Sequence, residues 1–131
     1  MTSDLDSSLK QLGVDYADIY FYHRDDVNRS VEELIETMEE FRKEGKIRYY
    51  GCSNWTTQRM KEADAYCAQK GYRGFVANQA MYNIGVAHMN PFSDPTMVVC
   101  DEQMLQYHKE SDNLLMPYMG ICSGFFHKLK T

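Results

Sequence analysis

Two short runs constrain this chain most: Asp18-Ile19-Tyr20-Phe21-Tyr22-His23 and, further on, Ile47-Arg48-Tyr49-Tyr50-Gly51-Cys52-Ser53-Asn54. Each is rich in aromatic and β-branched residues, and each ends in polar side chains where a strand would stop and a helix begin. Strands recurring at the spacing of a βα unit point to the rim of a βα barrel. In such barrels the chemistry sits at the C-terminal ends of the strands, which puts His23, Ser53 and Asn54 where function would be.

The rest of the chain continues the pattern. Residues 75–80 and 114–118 read as two more strands, so strand starts recur near Asp18, Ile47, Phe75 and Leu114 with no repeat of the residues themselves. Residues 4–13 read as the tail of a helix, with Leu5, Leu9 and Leu12 spaced by four and three and Gly13 suited to the position after the cap. Ser30 with Glu33 forms a capping box. It opens a helix whose apolar face is Val31, Leu34, Ile35, Met38 and Phe41, with Glu32, Glu36, Glu39, Glu40 and Lys43 expected outward and Gly45 ending it. Thr56 or Thr57 caps the next helix, in which Met60, Ala63 and Cys67 face inward until Gly71 stops it. Residues 82–96, punctuated by Gly85, Pro91 and Pro95, form the longest irregular stretch. A helix over 99–109 precedes the last strand, and residues 120–131 read as a loop and the first turn of another helix.

Sequential parallel strands with right-handed helical crossovers are what such connections allow. The expected fold is α/β: half of a TIM-type βα barrel, four parallel strands with intervening helices, as one domain over residues 1–131. A full eight-stranded barrel takes about 250 residues, and this chain has 131. Its composition, 44% apolar and 25% charged, is that of a globular domain rather than a disordered one. No run reaches the ~18 apolar residues of a membrane span, and Met1-Thr2-Ser3-Asp4 lacks the basic start and apolar core of a signal peptide, so a cytoplasmic setting is expected. Cys52, Cys67, Cys100 and Cys122 are far apart and read as reduced thiols. His23, His88, His108 and His127 show no metal-ligand spacing. A net charge of -5 argues against a nucleic-acid partner, while local cations and helix N-termini leave room for an anionic cofactor.

Four segments together carry a resemblance: L-G-x-D-Y-x-D-I-Y-x-x-H from Leu12 to His23, E-G-K-I-R-Y-Y-G-x-S-N from Glu44 to Asn54, then Asn78-Gln79 and Pro117-Tyr118. In this order and at βα spacing the chain resembles the aldo-keto reductases, from their fourth barrel strand to their seventh. Nothing corresponds to the first three strands or the last. The resemblance implies an NADPH-dependent hydride transfer to a carbonyl, in which His23 orients the carbonyl. Ser53, Asn54 and Gln79 would hold the nicotinamide carboxamide, for which hydroxyl and amide groups supply both donors and acceptors, and Tyr118 would stack on the nicotinamide ring. The family's proton-donating tyrosine, with its lysine and aspartate, has no counterpart. Tyr20, Tyr22, Tyr49, Tyr50 and Tyr82 do not match its position, and strand packing accounts for them. Met119 stands where the family usually has serine. Trp55 reads either as a substrate-pocket wall or as a rim-packing residue.

The function expected is therefore the nicotinamide side of an NADP-dependent reductase of small-molecule carbonyls, inactive by itself. The alternative is a non-catalytic half-barrel that associates and keeps a vestigial nucleotide site. Parallel sheets are covered on both faces, and here Ile19, Phe21, Tyr49 or Val76 would line an inner face without a cover. The outer strands would be open edges, so a homodimer or oligomer through those edges is expected.

Overall fold

The computed structural model describes residues 2–86 and 92–128. Residues 87–91 of the irregular stretch, with His88 and Pro91, and residues 129–131 of the expected last helix lie outside the described residues. Four strands, β1 (Ala17–Tyr22), β2 (Ile47–Ser53), β3 (Ala77–Met81) and β4 (Leu114–Tyr118), form one parallel sheet in the order β1-β2-β3-β4. Helix α1 (Thr2–Leu12) precedes β1, and α2 (Val31–Lys43), α3 (Thr57–Lys70) and α4 (Glu102–Glu110) make the three crossovers. After β4 a 3-10 turn (Cys122–Gly124) runs into the short helix α5 (Phe125–Lys128). This is the expected α/β partial barrel.

Capping chemistry sets the helix ends. Ser30 Oγ accepts from the Glu33 N–H at 3.2 Å, and Thr56 rather than Thr57 caps α3, accepting from the Arg59 N–H at 3.2 Å. Gly71 closes α3 in the left-handed region at φ 71, a conformation in which a glycine has no Cβ to strain. Helix α4 begins three residues later than the sequence suggests. Val99 is drawn instead into a parallel bridge with Met81, and Asp101 accepts from the Met104 N–H at 2.8 Å to start the helix. Strand β3 likewise begins at Ala77 rather than Phe75.

Alternation along the strands divides the aromatic residues between two faces. Tyr20 packs edge-on against Phe41 of α2, the Tyr22 hydroxyl donates to the Leu34 carbonyl oxygen at 3.0 Å, and the Tyr50 hydroxyl donates to Glu39 at 2.9 Å. These tyrosines therefore face the helix layer. There they join Leu34, Ile35, Met38, Phe41, Met60 and Phe75 in the core, where each large apolar side chain contributes roughly 1.5–3 kcal/mol. One expectation is corrected here, and one open alternative is decided. Glu39 does not point outward: it is 1% exposed, and its carboxylate accepts from Tyr50 and from Arg42 Nε at 2.9 Å each. The buried stripe of α2 is wide enough to include it because both partners satisfy its charge. Trp55 is no pocket wall; it is fully buried against Tyr22 and Phe75.

The opposite, inner face is open. Ile19, Tyr49, Leu114 and Met116 are 41%, 48%, 62% and 36% exposed. Gly51 belongs to this face, where a Cβ would stand 2.5 Å from both the Ala77 carbonyl oxygen and the Phe21 ring. Val76, expected on the inner face, precedes β3 and is half-buried. In β3 it is Gln79, in register with Ser53, that faces inward. Among the described residues no helix is long and apolar enough to cross a membrane.

Candidate functional site

The C-terminal ends of the four strands converge on a cavity of about 290 Å³ lined by His23, Arg24, Ser53, Asn54, Gln79, Met97, Met116, Pro117 and Tyr118. All five residues singled out from the sequence are among them. His23 follows β1, Ser53 ends β2 with Asn54 just beyond, Gln79 lies within β3, and Tyr118 ends β4. Parallel pairing supplies the alignment, because Ser53 is opposite Gln79, and Gln79 opposite Met116.

Hydrogen bonding at the site is unevenly spent. Asn54 takes up the left-handed backbone at φ 58 and is 4% exposed. Its Nδ2 donates to the His23 carbonyl oxygen at 3.2 Å and to Ser53 Oγ at 3.1 Å, and its Oδ1 accepts from the Val98 N–H at 3.1 Å and the Tyr118 hydroxyl at 3.2 Å. A carboxamide has two donor hydrogens and two acceptor lone pairs, so this one is fully used within the chain. Ser53 Oγ donates to the Gln79 carbonyl oxygen at 2.8 Å while accepting from Asn54, which leaves one lone pair. By contrast, the His23 imidazole and the Gln79 side-chain amide have no partner among the described residues. They are the groups with capacity to spare for a ligand, and the exposed His23 imidazole is a donor or acceptor according to its tautomer.

Sequence reasoning missed Arg24 and residues 94–98. Arg24 Nη1 donates to the His23 carbonyl oxygen at 2.9 Å, Nε to Thr96 Oγ1 at 3.1 Å, and Nη2 contacts Met97 Sδ at 3.1 Å. Asp94 lies 3.8 Å from the same guanidinium. The Thr96 hydroxyl and N–H hold the Asp94 carboxyl below the usual carboxylate range. Burial pushes the Tyr118 hydroxyl up, against the opposing effects of Arg24 and Asn54. The signal available for Arg24 was its place directly after the strand-end histidine; an irregular segment offered none for Thr96 or Val98.

A bidentate pair fixes the loop that follows His23. Arg59 of α3 donates from Nε and Nη2 to the two oxygens of Asp25, both at 2.9 Å, and Nη2 also reaches the Arg29 carbonyl oxygen at 3.2 Å.

Comparison with known proteins extends over the same segments. The Aldo/keto reductase family profile matches residues 1–131. A probable voltage-gated potassium channel beta subunit of Oryza sativa subsp. japonica is 33% identical over 84 residues, 64% of this chain and 26% of that protein. Norsolorinic acid reductase B of Dothistroma septosporum is 29% identical over 120 residues, 92% of this chain and 28% of that protein. Among solved structures, an aldo-keto reductase from Klebsiella pneumoniae in complex with NADPH superimposes with a TM-score of 0.69 at 24% identity, covering 92% of this chain and 37% of that one, a likeness of fold. The chain thus spans about a quarter of the curated relatives it matches. With the profile running through every strand-end residue of the cavity, the chain belongs to the aldo/keto reductase family.

Proposed function

We propose that this chain carries the nicotinamide side of an NADP-dependent carbonyl reductase site. The observation that carries the reading is the convergence of His23, Ser53, Gln79 and Tyr118 from four separate strands on one cavity, with His23 and Gln79 unspent among the described residues. The donor set fits a nicotinamide carboxamide: the Gln79 amide offers both a donor and an acceptor, and Ser53 offers a lone pair. The Tyr118 ring is held in place by its hydroxyl's bond to Asn54, as a stacking platform needs. When bound, the nicotinamide would supply the hydride. His23 would donate a hydrogen bond to the substrate carbonyl oxygen and orient it, while Arg24 and Asn54, both on the His23 carbonyl oxygen, fix the backbone that carries the imidazole.

By itself the chain is a poor catalyst in this reading, because nothing in it matches the family's tyrosine, and general acid catalysis is worth roughly 10²–10⁴-fold. NADPH fluorescence titration tests the cofactor half of the proposal: saturable binding weakened by Gln79→Ala is expected, and its absence would refute it. Loss of NADPH absorbance with a reactive aldehyde tests the other half. Turnover in the ordinary enzymatic range that disappears in His23→Ala would show that another residue supplies the proton. A cytoplasmic setting belongs to the same proposal and suits four free, buried cysteines.

The exposure of Ile19, Tyr49, Leu114 and Met116 favours a second reading, in which the half-barrel associates with a second copy of itself. Both edge strands are parallel members of one sheet, so a two-fold axis along the barrel axis sets β4 of each copy beside β1 of the other and keeps all strands parallel. Light scattering at micromolar concentration should find a dimer. A monomer with one sharp cooperative melt would refute the pairing.

A further inference from the structure

We propose that residues 94–98 are a strap latched across the mouth of the cavity, and that a carboxamide seated against Gln79 and Ser53 competes with this strap for the adjoining Asn54, which lines the same cavity. The inference rests on the cofactor reading above and adds a regulatory step to it. The strap is tied at one side by Arg24, which donates to Thr96 Oγ1 at 3.1 Å and faces Asp94 at 3.8 Å. Asp94 in turn accepts from the Thr96 N–H at 2.9 Å and its hydroxyl at 2.6 Å, closing a compact turn. On the other side the Val98 N–H donates to Asn54 Oδ1 at 3.1 Å. Met97, between these anchors, lines the cavity. Just past the strap the chain is pinned to β3, where the Cys100 N–H donates to the Met81 carbonyl oxygen at 2.9 Å. That point is a natural pivot.

The competition follows from valence. Asn54 has no free donor or acceptor. Two of its bonds, to the His23 carbonyl and Ser53, join strand ends, and a third is to Tyr118 on β4. The Val98 N–H is the one partner supplied by the strap. A ligand N–H can therefore reach Oδ1 at the least structural cost by replacing Val98, after which the Arg24 contacts alone hold the strap down.

Amide hydrogen exchange at Val98, read by NMR in the full chain with and without NADPH, tests this. A ligand that merely covers the strap slows Val98 exchange, whereas displacement speeds it. The expected result is faster exchange at Val98 on NADPH addition with the Cys52 amide of β2 unchanged. Thr96→Ala, on the exposed strap surface, removes the Arg24–Thr96 hydrogen bond and leaves the Asp94 and Met97 contacts of Arg24 in place. In the absence of cofactor it should speed Val98 exchange by about 2- to 10-fold, the range one net hydrogen bond supplies, and tighten NADPH binding by a similar factor. Asp94→Asn should act in the same direction. If NADPH binds while Val98 exchange slows or stays constant, or if Thr96→Ala leaves affinity unchanged or weaker, the strap proposal is overturned and the cofactor reading stands. If NADPH binds neither the wild type nor Thr96→Ala, both fall.

Discussion

Breaking the Asp25–Arg59 pair should reveal how the loop carrying His23 is held. The two side chains are 6% and 18% exposed, and the guanidinium meets both carboxylate oxygens at 2.9 Å. It also lies 5.3 Å from the centre of the buried Trp55 ring. Removing one member of a buried ion pair costs about 3–5 kcal/mol, because the other charge is left without compensation. Asp25→Ala should sit at the low end, about 3 kcal/mol, since the guanidinium keeps the carbonyl oxygens of Asp26 and Arg29 as acceptors. Arg59→Ala should cost about 4 kcal/mol, as it strands the more deeply buried carboxylate and frees those carbonyls. The double variant loses both charges together and should cost no more than about 5 kcal/mol, leaving a coupling of about 2 kcal/mol. Urea denaturation of the four proteins measures the cycle. A coupling below about 0.5 kcal/mol would place the pair with exposed ion pairs and refute the claim that it anchors the loop.

Gly51→Ala should destabilise by about 1–3 kcal/mol, since the new methyl meets the Ala77 carbonyl oxygen as well as the Phe21 ring; an unchanged denaturation midpoint would show that both yield. Burial raises the Cys67 thiol to about 11 and also raises Cys52 and Cys100, so a thiol-specific chromogenic reagent at pH 8 should label these cysteines only as fast as the protein unfolds, and rapid labelling of any of them would contradict the packing. The hydroxyls of Tyr66 and Tyr72, with the charge of Lys70, hold the Glu36 carboxyl below its ordinary value. Its contribution is therefore full above the unfolded value of about 4.3 and is lost as pH falls through the lowered one. The stability gap between wild type and Glu36→Gln should accordingly be open at pH 7 and shrink in acid, and a gap that widens in acid would reverse the sign. The Tyr66 end titrates oppositely. Glu36 pushes that hydroxyl up to about 12, so its share is full below about pH 10 and disappears as pH rises through the higher value.

The sheet was legible because a parallel βα unit writes its strands as compact aromatic and β-branched runs, and because Ser30 and Gly71 mark helix ends by local chemistry alone. Strand order followed from the crossover rule, and strand-end position pointed to His23, Ser53 and Asn54, whereas Gln79 and Tyr118 were singled out by the family resemblance. What stayed hidden depends on contacts between distant segments. Glu39 reads as a surface charge until Tyr50, on the next strand, is seen to donate to it. The late start of α4 depends on Met81 capturing Val99 and Cys100, eighteen residues or more downstream. Asn54 looks like a ligand-binding amide from its neighbours in sequence, yet its acceptor is taken by Val98, 44 residues away.

Strand parity also decides where a proton could come from. Tyr20, Tyr22 and Tyr50 face the helix layer, and burial raises all three hydroxyls, which removes them from the cavity in both position and acidity. Tyr49 is on the inner face but lies four residues before Ser53, about 13 Å away at the usual strand rise. Tyr118 is the one tyrosine lining the cavity among the described residues, and its proton is committed to Asn54 Oδ1. Under the proposed function, a donor for the carbonyl oxygen would have to arrive from across the open inner face. A second copy of this chain would bring the same residues, with its Tyr49 at the same depth below the strand ends and its Tyr118 again committed to Asn54, so self-association and catalysis should separate. The dimer fraction from size-exclusion chromatography should bind NADPH yet reduce no aldehyde above background. Reduction by that fraction would refute the assignment of the tyrosines to the two faces.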